Sequence, residues 1–465
     1  MHGYAMRESA GWGRMPRVRC AVFRPERRSA VRSIVASGAR TSYIARGMGR
    51  SGGDAAVNAN AGVIAFDRLN RFLAFQPETG ELQCEAGVSL GEILDVFLPR
   101  GFTLGVIPGT RHVTVGGAIA ADVHGRNHRK AGTFSQYVEE LTLLAGTGDV
   151  LTCSRERASD AFWATTGGMG LTGAILTAKL RLLPVETSFL RVDRKRTSNL
   201  DETLAALGTG GERMPYAVAW IDGLARGASL GRAVVLSGRH ARKDELPEHL
   251  KDRPLSCLRP PRFKLPFDLP GVVIRRFSAR AFNALHRAMR PSGEGLLADF
   301  ATFFFPLDGL LDANRLYGQR GFVQYQAVFP LESGSAGLRE LLEKLGASGQ
   351  AAFPAELRGC GAEGAGPLSF PLAGHTLALD LPRAAGFEAL LGELDAIVLK
   401  HRGRLYLAKD ATLNAATLER MYPRLGLFRT IARRLDPRGL FASDLARRVG
   451  LKSAAARTAI GGIAP

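Results

Sequence analysis

Cysteine is scarce in this chain: there are five in 465 residues (Cys20, Cys84, Cys153, Cys257, Cys360). They are odd in number and widely spaced, with no Cys-x-x-Cys, which excludes a disulfide framework or a cysteine zinc site and fits a reducing compartment. No apolar run reaches the ~18 residues of a membrane-spanning helix. The basic N-terminus lacks the apolar core of a secretion signal. The expected location is therefore cytoplasmic, with room for peripheral contact at the inner membrane. No His-x-Glu, His-Glu-x-x-His or Ser/His/Asp pattern points to metal chemistry or hydrolysis, so no metal is expected. Acidic residues are also few, 43 against 62 basic, for a formal charge of +19. Nucleic-acid binding would use such an excess, but it is scattered and no recognised nucleic-acid motif accompanies it, so no nucleic-acid partner is expected. Attraction to an anionic membrane face or a phosphorylated lipid is a second reading. An arginine-rich composition without functional meaning is the third.

Glycine, by contrast, is abundant, and two stretches concentrate it. The first, Pro108 to Asn127 (PGTRHVTVGGAIAADVHGRN), places Gly109, Gly116 and Gly117 where a chain turns tightly or approaches a ligand closely. Thr110 and Thr114 add short hydroxyls, and Ala118 to Ala121 a small dry surface suited to a flat buried cofactor. The bland alternative is a buried β-turn-β segment. The second stretch, Ile44 to Val57 (IARGMGRSGGDAAV), runs from a short strand into Gly47, Gly49, Gly52 and Gly53. Consecutive free N–H groups there would form an anion nest for a pyrophosphate, with Arg46 and Arg50 adding charge. It is neither a P-loop nor a Rossmann fingerprint.

By the rough rule of about 150 residues per domain, the length suits two sizeable domains. Glu26–Ala36 reads as a helix, with strands at Tyr43–Ala45, Gly62–Phe66, Phe72–Phe75, Leu82–Glu85 and Leu176–Leu183. Ser89 and Glu92 form a capping box opening a helix that Pro99 and Gly101 end. Beyond Val185 the texture changes. Arg191–Arg196 is a charge run, the mark of a solvated face. Ala217–Ile221, Ala233–Leu236, Phe322–Phe329 and Thr376–Leu381 read as strands of a second sheet, with helices near Leu200–Leu207, Leu338–Leu345 and Phe387–Leu399. Arg253–Arg280 holds five prolines, seven basic residues and one acidic one among Phe263, Phe267 and Phe277. It reads as either a floppy surface loop or, functionally, a lid or membrane-facing flap. Tyr406–Asp410 reads as a strand end, and Ala415–Met421 and Leu425–Leu435 as helices.

The motifs ARGMGRSGGD (45–54), PGTRHVTVGGAIAADVHGRNH (108–128), FWATTGGMGLTGAIL (162–176), FVQYQ (322–326), PLSFP (367–371), GRLYLAKD (403–410) and LDPRGLFASDLARR (435–448) stand in one order along the chain. Together they resemble the flavoprotein oxidases of the vanillyl-alcohol-oxidase superfamily, and most closely the decaprenylphosphoryl-β-D-ribose 2′-oxidase family, from Gly11 to about Leu451. That family supplies the flavin half of an epimerase in cell-wall arabinan biosynthesis. The resemblance implies an α+β, two-domain PCMH-type FAD-binding fold with an antiparallel α+β substrate domain. Its parts would be an FAD domain (1–185), a cap (186–403), a C-terminal segment returning to the FAD domain (404–452) and a disordered tail (453–465).

It also implies a site. Arg46, Gly47, Gly49, Arg50, Ser51, Gly52, Gly53 and Asp54 would form the pyrophosphate loop. Gly109, Thr110, Thr114, Val115, Gly116 and Gly117 would line ADP and flavin, with Ala121, Asp122, Val123 and His124 beside the ring and Ile175 and Tyr406 completing the pocket. Lys409 matches the active-site lysine, Gln324 and Gln326 substrate-facing glutamines, Trp220 a pocket aromatic and Arg358 a pocket lysine. The chain departs at four substrate-side positions: a loop Tyr is Gly52, a pocket Tyr is Phe304, an Asn is Thr376 and a Cys is Ala378. Where many superfamily members link FAD to a loop His, this chain has Asp54, so the expected FAD is non-covalent.

Oxidising a secondary alcohol with flavin needs a route for the hydroxyl proton and groups that fix the sugar. Lys409 is the expected anchor, able to take the proton if desolvated or to stabilise the alkoxide if charged. Gln324 and Gln326 flank Tyr325 and so share one strand face. His124 is a possible base, and more often such a histidine supports the cofactor. The expected activity is oxidation of a polyprenyl-phosphate-linked pentose, with a short-chain reductase as partner. The alternatives are an aldonolactone or sugar-alcohol oxidase and, in another class, a flavin-less anionic-lipid or nucleic-acid-binding protein.

Overall fold

The chain is described here from a computed structural model, over residues 3–256, 263–270 and 274–452; the side chains of 209–213 are not part of that description. The tail 453–465 and parts of the Arg253–Arg280 stretch lie outside the described residues.

Three sheets carry the architecture. A four-stranded sheet has the order Ala5–Ala10, Arg17–Phe23, Gly62–Ala65, Tyr43–Arg46, its first pair antiparallel and the other two pairs parallel. The chain then enters an antiparallel sheet in the order Phe72–Gln76, Glu81–Glu85, Gly173–Pro184, Val138–Ala145, Val150–Ser154, with Phe102–Leu104 added to the long central strand. The expected capping box is present: Ser89 accepts from the Glu92 amide, Glu92 accepts from the Ser89 amide, and the helix Leu90–Phe97 buries Leu90, Ile93, Leu94 and Phe97. Local chemistry sets that helix start.

The third sheet has eight antiparallel strands: Gly293–Asp299, Phe189–Thr197, Ala233–His240, Tyr216–Ile221, Ala355–Cys360, Gly374–Pro382, Phe322–Pro330 and Arg404–Leu405. The helices Leu200–Arg213, Leu331–Ser348 and Phe387–Lys400 pack on it. The result is a layered α+β arrangement. The chain then returns to the first sheet. Tyr43 donates to Leu440 O and accepts from the Ala442 amide, a pairing that stitches the C-terminal segment alongside Tyr43–Arg46.

Three local readings need correction. The Gly-rich stretch is not β-turn-β: Val115–Ala120 is a short helix capped by the Thr114 hydroxyl, which accepts from the Gly117 amide. Two glycines make it a poor helix by propensity, and burial of Val115, Ala118 and Ile119 overrides that. The charge run Arg191–Arg196 sits inside the strand Phe189–Thr197. There Leu190 and Val192 are buried while Arg191 and Arg196 donate to the Gly295 and Arg290 carbonyls. The strand before Lys409 ends at Leu405, and Tyr406–Asp410 is a turn in which the Lys409 and Asp410 amides both donate to Tyr406 O.

Candidate functional site: a cleft between two glycine loops and the eight-stranded sheet

The two glycine-rich loops meet. A Cβ placed on Gly47 would lie 2.2 Å from Thr114 Oγ1, so the first loop can touch the second only because it carries no side chain there. Both loops, the turn before Lys409 and one face of the eight-stranded sheet line a single cavity of about 400 Å³. Of the expected cofactor residues, Arg46, Gly47, Gly49, Arg50, Ser51, Gly109, Thr110, Thr114, Gly116, Gly117, Ala121, Val123, His124, Ile175 and Tyr406 line it. Of the expected substrate residues, Trp220, Gln324, Gln326, Arg358, Ala378 and Lys409 do.

Seven expected residues stand behind the wall. Gly52 and Gly53 press against the backbone of Lys409 and Asp410; a Cβ on Gly52 would lie 2.6 Å from Lys409 O, so a Tyr cannot occupy this position without moving the loop. Asp54 is buried and bonded to Arg448, with Oδ1 and Oδ2 accepting at 2.7 and 2.9 Å. It anchors the loop to the C-terminal segment. Val115 is sealed in the helix core. Asp122 accepts from the Ser135 amide at 3.1 Å, and burial pushes its carboxyl up to about 6. Phe304 packs edge-on against Tyr216, 4.9 Å between ring centres, away from the cavity. Thr376 touches the site indirectly: it accepts from Gln326 Nε2 at 3.2 Å and donates to Ala327 O at 3.0 Å.

The polar centre is a relay of side chains. Lys409 Nζ donates to Gln324 Oε1 at 2.8 Å, Gln324 Nε2 donates to Asp380 Oδ1 at 3.1 Å, and Tyr317 Oη donates to Asp380 Oδ2 at 3.1 Å. Burial pushes the Lys409 ammonium below the usual lysine range; Asp380 opposes this and Arg358 adds to it. Burial also raises the Asp380 carboxyl to about 6, with Lys409 pulling the other way. A second polar group lies beside it. Glu356 bonds Arg358 and approaches Arg126 at 3.7 Å. Burial disfavours its charge, but the two guanidiniums win and hold the carboxyl low.

His124 faces Gln326, whose Nε2 lies 2.8 Å from His124 Nε2. With the amide donating, His124 is neutral and carries its proton on Nδ1, which has no partner. Burial, reinforced by His128, Arg358 and Lys409, drives its proton affinity well below the histidine norm. It is a poor base and a good hydrogen-bond donor.

Arg50, also lining the cavity, stacks on Trp12, its guanidinium 4.1 Å from the ring centre. Arg46 is spent on the Ala10 and Ala56 carbonyls at 2.7 and 3.0 Å, bracing its loop. Sequence reasoning missed Trp12, Tyr317, Glu356 and Asp380. The strand alternation that placed Gln324 and Gln326 offered a signal for Asp380, because Gln324 pairs with it across the strands.

These features fit FAD. The glycine-bearing loop Gly47–Ser51, the bare backbone of Gly109, Gly116 and Gly117 along the wall, the Arg50 cation, an apolar floor of Ala45, Ala55, Ala120, Ala121 and Ile175, and an unpartnered buried His124 Nδ1 suit a dinucleotide with a flat ring. Asp54, turned into its ion pair, offers no covalent anchor.

Comparison with known proteins agrees with the geometry. A profile described as an FAD binding domain matches residues 20–154, and one described as D-arabinono-1,4-lactone oxidase matches residues 316–449. Over 447 residues the chain is 38% identical to decaprenylphosphoryl-beta-D-ribose oxidase of Mycolicibacterium smegmatis, covering 95% of this chain and 97% of that protein. An uncharacterized protein of Streptomyces coelicolor is 39% identical over 375 residues, 78% of this chain and 100% of its own length. L-Gulonolactone oxidase of Mus musculus is 32% identical over 146 residues, 30% of this chain and 33% of that one. With an FAD-binding profile over its first part and a relative matched over nearly its whole length, the chain belongs to the family of FAD-dependent PCMH-type oxidases that includes decaprenylphosphoryl-β-D-ribose oxidase.

Proposed function

We propose that this enzyme oxidises the 2′-hydroxyl of a polyprenylphosphoryl ribose to a keto sugar, with residues 1–185 holding most of the cofactor and 186–403 the substrate. The observation that carries this reading is the Lys409–Gln324–Asp380 relay, which borders the same cavity as the two glycine loops. Bound FAD supplies the hydride acceptor at its N5. The chain must manage the proton. Lys409, desolvated and beside the Gln324 oxygen, can accept the hydroxyl proton when neutral or steady the developing alkoxide when charged. Gln326, its two amide hydrogens held by Thr376 and His124, offers its Oε1 to accept from a sugar hydroxyl. Arg50 and Arg358 are the cavity-lining guanidiniums available to a phosphate, Arg358 while also paired with Glu356.

A keto sugar product calls for a reductase to complete an epimerisation, so a short-chain reductase partner belongs to the proposal, as does peripheral contact with the inner membrane. No helix among the described residues is long and apolar enough to cross a membrane. The matched lactone-oxidase profile over 316–449 supports a second reading, oxidation of a free aldonolactone or sugar alcohol. Anaerobic titration of the purified flavoprotein separates them. Bleaching by polyprenylphosphoryl ribose but not by lactones or polyols is expected, and the reverse order overturns the assignment.

A further inference from the structure

The helix Arg276–Ala288 is turned inside out. Phe277, Ala281, Ala284, Leu285 and Ala288 share one face at helical spacing, and that face is exposed, with Phe277 84% accessible. Beside the small buried Ala279, three polar residues face the protein instead. Asn283 donates to Asp222 at 2.7 Å, Arg287 donates to Ala233 O at 2.8 Å, and His286 packs at a tilt against Trp220, 5.4 Å between ring centres. A helix stabilised by core burial would face the other way, so this apolar stripe is not there for the fold.

Its position and charge say what covers it. Trp220 and Phe353 line the cavity, and the helix packs on both, Phe282 meeting Phe353 edge-on at 4.6 Å. The helix therefore borders the mouth of the site. No carboxylate occurs between Asp268 and Glu294, whereas Arg275, Arg276, Arg280, Arg287 and Arg290 all fall there. A second rim element also presents an exposed aromatic beside a cation: Phe263, 65% exposed, and Lys264 form a strand paired with Leu310–Leu311, which line the cavity between Asp308 and Asp312. On the helix, apolar side chains beside the exposed Arg275 and Arg280, with no carboxylate on the helix itself to repel phosphate, match an anionic bilayer surface.

We propose that the helix Arg276–Ala288 lies in the headgroup layer of an anionic membrane and holds the cavity mouth against it. A lipid-linked sugar then enters the site while its prenyl tail stays in the bilayer. The inference rests on the polyprenyl-phosphate reading above and adds the surface that serves it.

The test is co-sedimentation of the FAD-loaded full chain with vesicles of phosphatidylcholine alone or mixed with phosphatidylglycerol. Binding is expected only to the mixed vesicles, weakening with salt. The F277D/L285D variant should partition about tenfold less, while a soluble, short-tailed phosphoryl ribose bleaches its flavin as in the parent. Both substitutions are at exposed positions away from the cavity lining, and R275E/R280E gives an independent variant with the same expected loss. Equal binding of parent and both variants overturns the proposal, as does binding indifferent to phosphatidylglycerol. So does a change from dimer to monomer in F277D/L285D without vesicle binding by the parent, which would mark a contact between copies. If vesicles are ignored while detergent-dispersed polyprenylphosphoryl ribose still bleaches the flavin, the surface falls and the oxidase reading stands.

Discussion

Lys409 and Gln324 come from segments 85 residues apart and meet at 2.8 Å, the ammonium donating to the amide oxygen. Asp380 sets that orientation. Its carboxylate only accepts, so the Gln324 NH2 turns toward it and leaves the oxygen for Lys409. A buried lysine next to a neutral acceptor, with the carboxylate one residue further away, keeps its charge less firmly than in a direct ion pair.

Lys409→Met should therefore lower the rate of flavin reduction by about a hundredfold or more while FAD stays bound. Stopped-flow absorbance under anaerobic conditions measures the rate and the spectrum confirms the cofactor. Turnover equal to the parent would remove Lys409 from the chemistry.

Asp380 gives the reaction an acid limb. Its carboxyl, raised to about 6 by burial, is charged at neutral pH and takes a proton as pH falls through that value. Neutral Asp380 no longer supports the Lys409 charge, so flavin reduction should decline below pH about 6, and Asp380→Asn should flatten that limb. The stability effect has the opposite sign. A folded value above the ordinary 3.8 favours the protonated form, a contribution full below pH 3.8 and lost as pH rises through about 6. Asp380→Asn should thus melt no lower than the parent at pH 8, as thermal melts at pH 5 and 8 will show.

Asp54 is a structural anchor in this chain. Asp54→Ala leaves Arg448 with one carboxylate, Asp410 at 2.9 Å, and the Leu413 carbonyl, and removes the side-chain tie between the first glycine loop and the C-terminal segment. We expect a loss of about 3 kcal/mol in denaturant melts and weaker FAD retention on gel filtration. Because Asp54 is not a point of attachment, acid precipitation of the parent should leave FAD in the supernatant. A yellow pellet would reveal a covalent link.

Ala378 lies opposite Gln326 on the neighbouring strand and lines the cavity. The cysteines among the described residues, Cys20, Cys84, Cys153 and Cys360, are buried and none lines it. A thiol-reactive electrophile that fits the site should form no adduct there in the parent and one adduct in Ala378→Cys. Peptide mass spectrometry reads the site directly.

Much of the fold was legible where neighbours in sequence are neighbours in space. The Ser89–Glu92 capping box announces the helix Leu90–Phe97, and the polar–aromatic alternation of Gln324, Tyr325 and Gln326 announces which side chains share a face. Tyr325 does point away, its hydroxyl bonding Asp395 at 3.0 Å. The reading failed where packing overrode local preference. The Gly-rich Val115–Ala120 became a helix because its apolar side is fully enclosed, and Phe304, expected in the pocket, joined an aromatic cluster with Tyr216.

Local chemistry thus decided the glycine loops, the caps and the strand alternation, because backbone freedom and hydrogen bonds a few residues apart are written in adjacent letters. The motifs, taken in order, were enough to point to an FAD enzyme. Only the tertiary structure decided that Gly47 rests on Thr114, that Asp380 orients Gln324 toward Lys409, and that an apolar helix face turns outward at the cavity rim. Those relations join segments more than fifty residues apart. They exist only once long-range packing has offset the entropy of closing the chain between them.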